Sequence, residues 1–218
     1  MNISPLKPKI LSIKLIPQTD LQLLHSFGVK GKPGGSLGLI TCDMDDALFT
    51  ALDEATKDSQ VEVIYAKSFY AGSAHASGPL SGEAIGIFQG EDPQNVIDAL
   101  MSCKNNLEQK AWFYKTQGAV EIPFFPMVIS SLGHYLSKEA GLKAGDAMAY
   151  LIAPPIESVL GIDAALKAAD VKLVKHFKPP TETNFGGGYL SGDLHEVEAA
   201  ARAFSEMMIK LSQNKMDL

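Results

Sequence analysis

With 218 residues, 46% of them hydrophobic and 20% charged, the chain has an ordinary globular composition that fits neither disorder nor a fibrous repeat. The length suits one large domain or two of roughly 100 residues each. The net charge is −6 and Arg202 is the sole arginine among 19 basic residues, so the arginine forks and basic patches of nucleic-acid recognition are missing. No apolar run reaches the roughly 18 residues of a spanning helix. The opening MNISPLKPKILSIKLIP interleaves lysines with aliphatics and has no continuous apolar stretch of the signal-peptide kind. A soluble cytoplasmic protein, with no membrane and no nucleic-acid partner, is the expectation. Two cysteines, Cys42 and Cys103, are too few for a disulfide framework or a zinc cage, and their apolar contexts predict buried thiols.

Hydrophobic periodicity divides the chain into alternating elements. Residues 9–17 (KILSIKLIP) read as a strand, followed by a short helix from Asp20, a good N-cap, to Gly28. KGKPGG (30–35) is a breaker cluster; it lacks the spacing of a phosphate loop and reads as a turn. Residues 36–42 read as a buried strand, and Asp43 to Lys57 as a helix with Leu48, Ala51, Leu52 and Ala55 on one face. VEVIYAK (61–67) alternates as a strand. A polar small-residue loop then runs to Gly82, and EAIGIFQG forms a further strand. Pro93 suits a helix first turn, and that helix continues to about Lys110.

The second half repeats this order. VEIPFFPMVISSLG is strand-like, with prolines that point to a sheet edge. HYLSKEAG is a short helix ended by Gly141, AMAYLIAP a strand, Ile156–Ala169 a helix, VKLVKHF and FGGGYLSG strands, and Leu194–Leu211 a closing helix. At an offset of 110, Asp53, Ala55, Lys57 and Val61 meet Asp163, Ala165, Lys167 and Val171. Gly28 and Gly141 lie 113 apart, and Gly90 and Gly192 lie 102 apart. Duplication is the economical account. Each copy is a β-α-β-α-β-β-α sandwich of the ferredoxin-like kind, giving domains over 1–112 and 113–218 with 111–121 as the linker.

Three blocks carry more than a pattern: DEATKDSQVEVIYAKSFYAGSAH, GDAMAYLIAPPIESVLGIDAALKAADVKL and PPTETNFGGGYLSG. Together they resemble the EutL family, the ethanolamine-utilisation shell proteins of bacterial microcompartments. The likeness runs from about Leu37 to the C-terminus. It implies an α/β fold of two tandem, circularly permuted microcompartment domains, a homotrimer that tiles into flat sheets with other shell proteins, and no catalysis. It also implies a central pore opened and closed by loops, and a smaller acidic pore in each subunit. No cofactor is required in such a protein, although the family is associated with cobalamin near the central pore.

The acidic pair Asp45-Asp46 opens the first long helix, where carboxylates are favoured simply because the helix end is positive. The resemblance tips the pair toward a small-molecule site for ethanolamine, an ammonium that favours several carboxylate oxygens and an aromatic face. Glu83 at a strand start, Phe113 in the linker and Glu182-Thr183-Asn184 in the second copy complete the expected set. For the central gate, Phe69 and Tyr70, and Phe185 and Gly186, place aromatics beside residues of low steric demand. Tyr70 or Phe185 would accept cobalamin. A propanediol-type tandem shell protein should differ in its acidic pore, and a trimeric nucleotide sensor of ferredoxin-like build would need basic residues that are scarce here. His75 and His134 have no second ligand nearby in sequence, and Trp112 reads as a packing residue. No nucleophile or metal motif points to an enzyme.

Overall fold

The structure, a computed structural model, describes residues 3–29, 35–68, 84–179 and 185–213. The chain divides into two compact units. The first takes residues 8–111 and 133–136, and the second takes 1–7, 112–132 and 137–218. These differ from the expected halves at both ends. Strand β1 (Ile3–Leu6) pairs antiparallel with β6 (Phe113–Thr116), which draws the start of the chain into the second unit. Residues 133–136 are hydrogen-bonded to a helix of the first unit and belong with it.

In the first unit β2 (Ile10–Ile16), β3 (Ser36–Cys42), β4 (Glu62–Ser68) and β5 (Ala84–Gly90) form an antiparallel sheet in the order β2-β3-β5-β4. Helix α1 (Leu21–Ser26) is capped by Asp20, whose carboxylate accepts the Gln22 N–H at 2.8 Å, and it ends at Gly28 with φ of 80°. Helices α2 (Asp45–Asp58) and α3 (Pro93–Gln109) pack together on one sheet face. Glycines let them approach closely: a Cβ on Gly38 would lie 2.7 Å from Val96, and one on Gly86 would lie 2.6 Å from Leu52. The other face, with Leu37 and Ile87, is covered by Leu24 of α1.

The second unit contains β7 (Pro123–Ile129), the later part of α4 (His134–Ala140), β8 (Met148–Ala153), α5 (Pro155–Ala168), β9 (Lys172–Phe177), β10 (Gly186–Ser191) and α6 (Leu194–Gln213). Its sheet runs β1-β6-β7-β8-β10-β9, so the four strands β7, β8, β10 and β9 reproduce the first sheet's order, and β6 and β1 extend it. Phe124, Leu151 and Leu190 pack against Ile162 of α5 and Phe204 and Met208 of α6. On the opposite side, Tyr150 faces Tyr189 across the β8–β10 ladder with rings 4.6 Å apart, and Phe177 stands edge-on to Tyr189 at 4.9 Å.

Two expectations are corrected. The stretch 111–121 is not merely a linker, because β6 lies within it, and Trp112 beside it receives the Lys7 ammonium 4.1 Å from its ring centre. Strand β7 is not an edge strand, since β6 and β8 flank it. Pro123 is tolerated as the first residue of the strand, and Pro126 because the β6 ladder reaches only Phe124, leaving that part of β7 paired on the β8 side alone.

Candidate functional site

Strands β3 and β4 end, and β5 begins, at one end of the first sheet: Ala84 pairs with Cys42 on one side and Ser68 on the other. Helix α2 starts there too. Its N-cap is Met44, which offers no side-chain cap, so the first-turn acids act in its place. Asp45 Oδ1 accepts the Asp46 N–H at 2.9 Å, and Asp45 Oδ2 accepts the Ser68 hydroxyl at 2.7 Å. The capping reading of Asp45 is therefore realised, but one oxygen is also turned to the end of β4. Asp45 and Asp46 are buried, at 8% and 6% exposure. Their neighbour Asp43 accepts the Lys9 N–H at 2.6 Å. The second unit has no such pair, because Pro155 and Ile156 open α5 where the acids open α2.

Ser68 did not stand out in the sequence. Its signal is position alone: a hydroxyl ending an alternating strand immediately before the long polar loop. The loop residues Phe69 and Tyr70, together with Glu83, lie outside the described residues, as do Glu182, Thr183 and Asn184. KGKPGG and His75 also fall largely or wholly outside them.

Phe113 is part of β6 and is 7% exposed. Its ring stacks on Phe125 at 4.8 Å and lies 6.4 Å from Phe185. The expected aromatic face is thus committed to an aromatic cluster in the second unit that includes Phe185. Gly186 was expected in a hinged loop; it is the first residue of β10, opposite Ala153. Its neighbours explain the glycine run in another way. A Cβ on Gly187 would run into the Leu151 carbonyl, and one on Gly188 would lie 2.6 Å from the Lys175 carbonyl. These glycines admit close strand approach at the start of the ladder.

A third buried acid escaped the sequence reading except as a repeat match. Asp53, 1% exposed, accepts the Gly133 and Leu136 N–H groups, each at 2.7 Å. Burial raises its carboxyl above the ordinary value, against the lowering effect of those two N–H groups. Both cysteines are buried free thiols; burial pushes Cys42 up to about 12 and Cys103 higher still. Among the described residues, no cluster of three His, Cys, Asp or Glu could hold a metal ion, and no helix is long and apolar enough to cross a membrane.

A family model described as the BMC domain matches residues 36–117. The trimeric shell protein PduB shares the fold, with a TM-score of 0.75 at 23% identity over 91% of this chain and 87% of that one. Fold and domain define the class: a bacterial microcompartment shell protein, structural and not catalytic. The shell protein EutL of Clostridium perfringens is 41% identical over 211 residues, 97% of each chain. That of Salmonella typhimurium is 44% identical over 179 residues, 82% of each. The crystal structure of ethanolamine utilization protein EutL from Leptotrichia buccalis covers 100% of both chains with a TM-score of 0.93 at 42% identity. The chain belongs to the EutL family of microcompartment shell proteins, and its place is the microcompartment shell in the cytoplasm.

Proposed function

We propose that three copies of this chain form a disc-shaped tile of an ethanolamine-utilisation shell, with a gated central pore and an ethanolamine site in each subunit. The site comprises Asp45 and Asp46 together with Glu83. The observation that carries the reading is the buried Asp45-Asp46 pair at the end of the first sheet, with Asp45 bonded to Ser68 at the very start of the long loop.

One carboxylate about 4 Å from an ammonium contributes roughly 4 kcal/mol at an effective dielectric near 20, before desolvation. Neighbouring carboxylates repel one another without a cation, and a bound ammonium relieves that repulsion. Because Ser68 leads directly into residues 69–83, occupancy of the site is coupled to the gate that Phe69 and Tyr70 form. Bound ethanolamine favours the closed pore. Cobalamin is a ligand of that gate, received by Tyr70 or Phe185, and not a required cofactor.

Calorimetric titration with ethanolamine tests the site. Asp45→Asn and Glu83→Gln should each weaken binding at least about tenfold, since each removes a charge partner. Binding equal to wild type in both variants would remove the acidic site from the proposal. Electron microscopy of the purified protein tests the shell role: flat hexagonal sheets of trimers are expected, and dispersed monomers at high concentration would contradict it.

A further inference from the structure

The internal repeat places two equivalent helices in unlike surroundings. On α2, Asp46, Thr50, Asp53 and Thr56 form a buried stripe at 6%, 5%, 1% and 3% exposure. Residues 133–136 cover its later part. Asp53 accepts the Gly133 and Leu136 N–H groups, Thr56 accepts the His134 N–H at 2.9 Å, and Phe49 meets Tyr135 edge-on at 6.4 Å. The fit is close, since a Cβ on Gly133 would run into the Asp53 carbonyl.

Shifted by 110 residues, the same stripe on α5 is Ile156, Leu160, Asp163 and Leu166, with Val159 in the place of Phe49. Here it is open. Ile156 is 71% exposed, Val159 50%, Leu160 40% and Leu166 38%, and the Asp163 side chain, 57% exposed, is engaged by Lys167 at 2.6 Å. Four large apolar side chains on one helix face are more than scattered surface hydrophobics. The covering segment also has a counterpart. Residues 133–136 lie 113 positions after 20–23, the start of α1, and buried Leu136 (1% exposed) corresponds to Leu23 at 41%. The chain therefore carries one satisfied copy of this contact and both halves of a second, unsatisfied one.

We infer that the α5 face receives α1 of a second copy of this chain, in the pose that residues 133–136 take on α2. The contact joins unlike surfaces, head to tail, so each subunit offers one α1 and one α5 and the arrangement closes into a ring. It rests on the trimeric reading above and deepens it. The contact that holds a subunit's own segment in place is the pattern for the contact between subunits.

Sedimentation of complementary variants tests it. Leu23→Asp spoils α1 and leaves α5 intact, whereas the double variant V159D/L160D does the reverse. Each alone should sediment as a monomer where wild type is a trimer, with association weakened roughly 30-fold or more. Mixed in equal amounts, they should give a one-to-one heterodimer and nothing larger, because one intact α1 can meet one intact α5 and the chain of contacts then stops. Formation of the heterodimer also shows that both variants fold. If circular dichroism finds either unfolded, Leu23→Ser and Val159→Ser replace them, read as a shift of trimer dissociation to higher protein concentration. A trimer undisturbed by changes in the face would overturn the inference, as would loss of sheets with trimers intact, which assigns α5 to contacts between tiles. A monomeric wild type would instead remove the trimeric reading itself.

Discussion

Helices α2 and α5 begin 110 residues apart, close their ends with Lys57 and Lys167, and turn equivalent leucine and isoleucine, Leu52 and Ile162, to their cores. Their outer stripes differ in both cover and composition. The covered α2 stripe is polar, with Asp46, Thr50, Asp53 and Thr56; the open α5 stripe is apolar at every corresponding position except Asp163. A permanent intramolecular cover can use hydrogen bonds to a fixed backbone, whose geometry the connected chain maintains. The apolar stripe needs no such alignment. The ends of the sheets diverge as well, with buried acids at the first and aromatics and glycines at the second.

The comparison predicts unequal costs for equivalent substitutions, read by urea unfolding of the dissociated chain. Leu136→Ala should destabilise by about 3 kcal/mol, as for a fully buried leucine, whereas Leu23→Ala should stay below about 1 kcal/mol. Equal losses would mean that the two leucines are equally covered. Asp53→Ala leaves the Gly133 and Leu136 N–H groups without an acceptor in a buried place and should cost about 2 kcal/mol. Asp163→Ala removes an exposed pair with Lys167 and should cost at most about 0.5 kcal/mol.

A smaller effect at Asp53 is read by pH. Burial raises the folded-state pKa of Asp53 above its ordinary 3.8, so the folded chain holds that proton more tightly than the unfolded one. The stabilisation linked to the proton is complete below 3.8 and is lost as pH rises through the raised value. Across that window the urea midpoint of wild type should fall relative to Asp53→Asn. A wild-type midpoint that rises relative to Asp53→Asn would mean that the hydrogen bonds outweigh desolvation. Thiol labelling gives the least perturbing test. Cys42 and Cys103 both lie in the first unit, so maleimide or iodoacetamide at pH 8 reports on that unit alone. Native labelling should be slower than in urea by more than about tenfold.

Much of the fold was legible because its elements announce themselves locally. Asp20 and Gly28 bracket α1, Pro93 starts α3, and Gly141 with φ of 67° ends α4. The strand pairs β1 and β6 escaped because each is four residues long, too short for periodicity to speak, although three adjacent aromatics at 112–114 were a usable β signal. The position of β7 escaped because proline limits only the side on which an N–H is needed, and the sequence does not state how far a neighbouring ladder extends. For the site, charge pattern located Asp45 and Asp46, but Ser68 and the strand position of Gly186 depend on register between segments far apart in sequence. Asp53 was visible only as a repeat match to Asp163, with nothing local to name its partners in residues 133–136.

The β1–β6 ladder has a consequence for the order of synthesis. Ile3 is made 113 residues before its partner Thr116, and the whole of residues 8–111 is translated between them. The first strand must therefore wait, unpaired, while the four-stranded sheet between the two halves of its own ladder can already form. Residues 133–136 reverse the relation, since the first unit lacks its last backbone partners until they emerge. Neither unit can be finished from one half of the message. Such long-range closures slow folding, and a nascent chain stalled before residue 113 would present a strand with no ladder and a helix α2 with its polar stripe still wet.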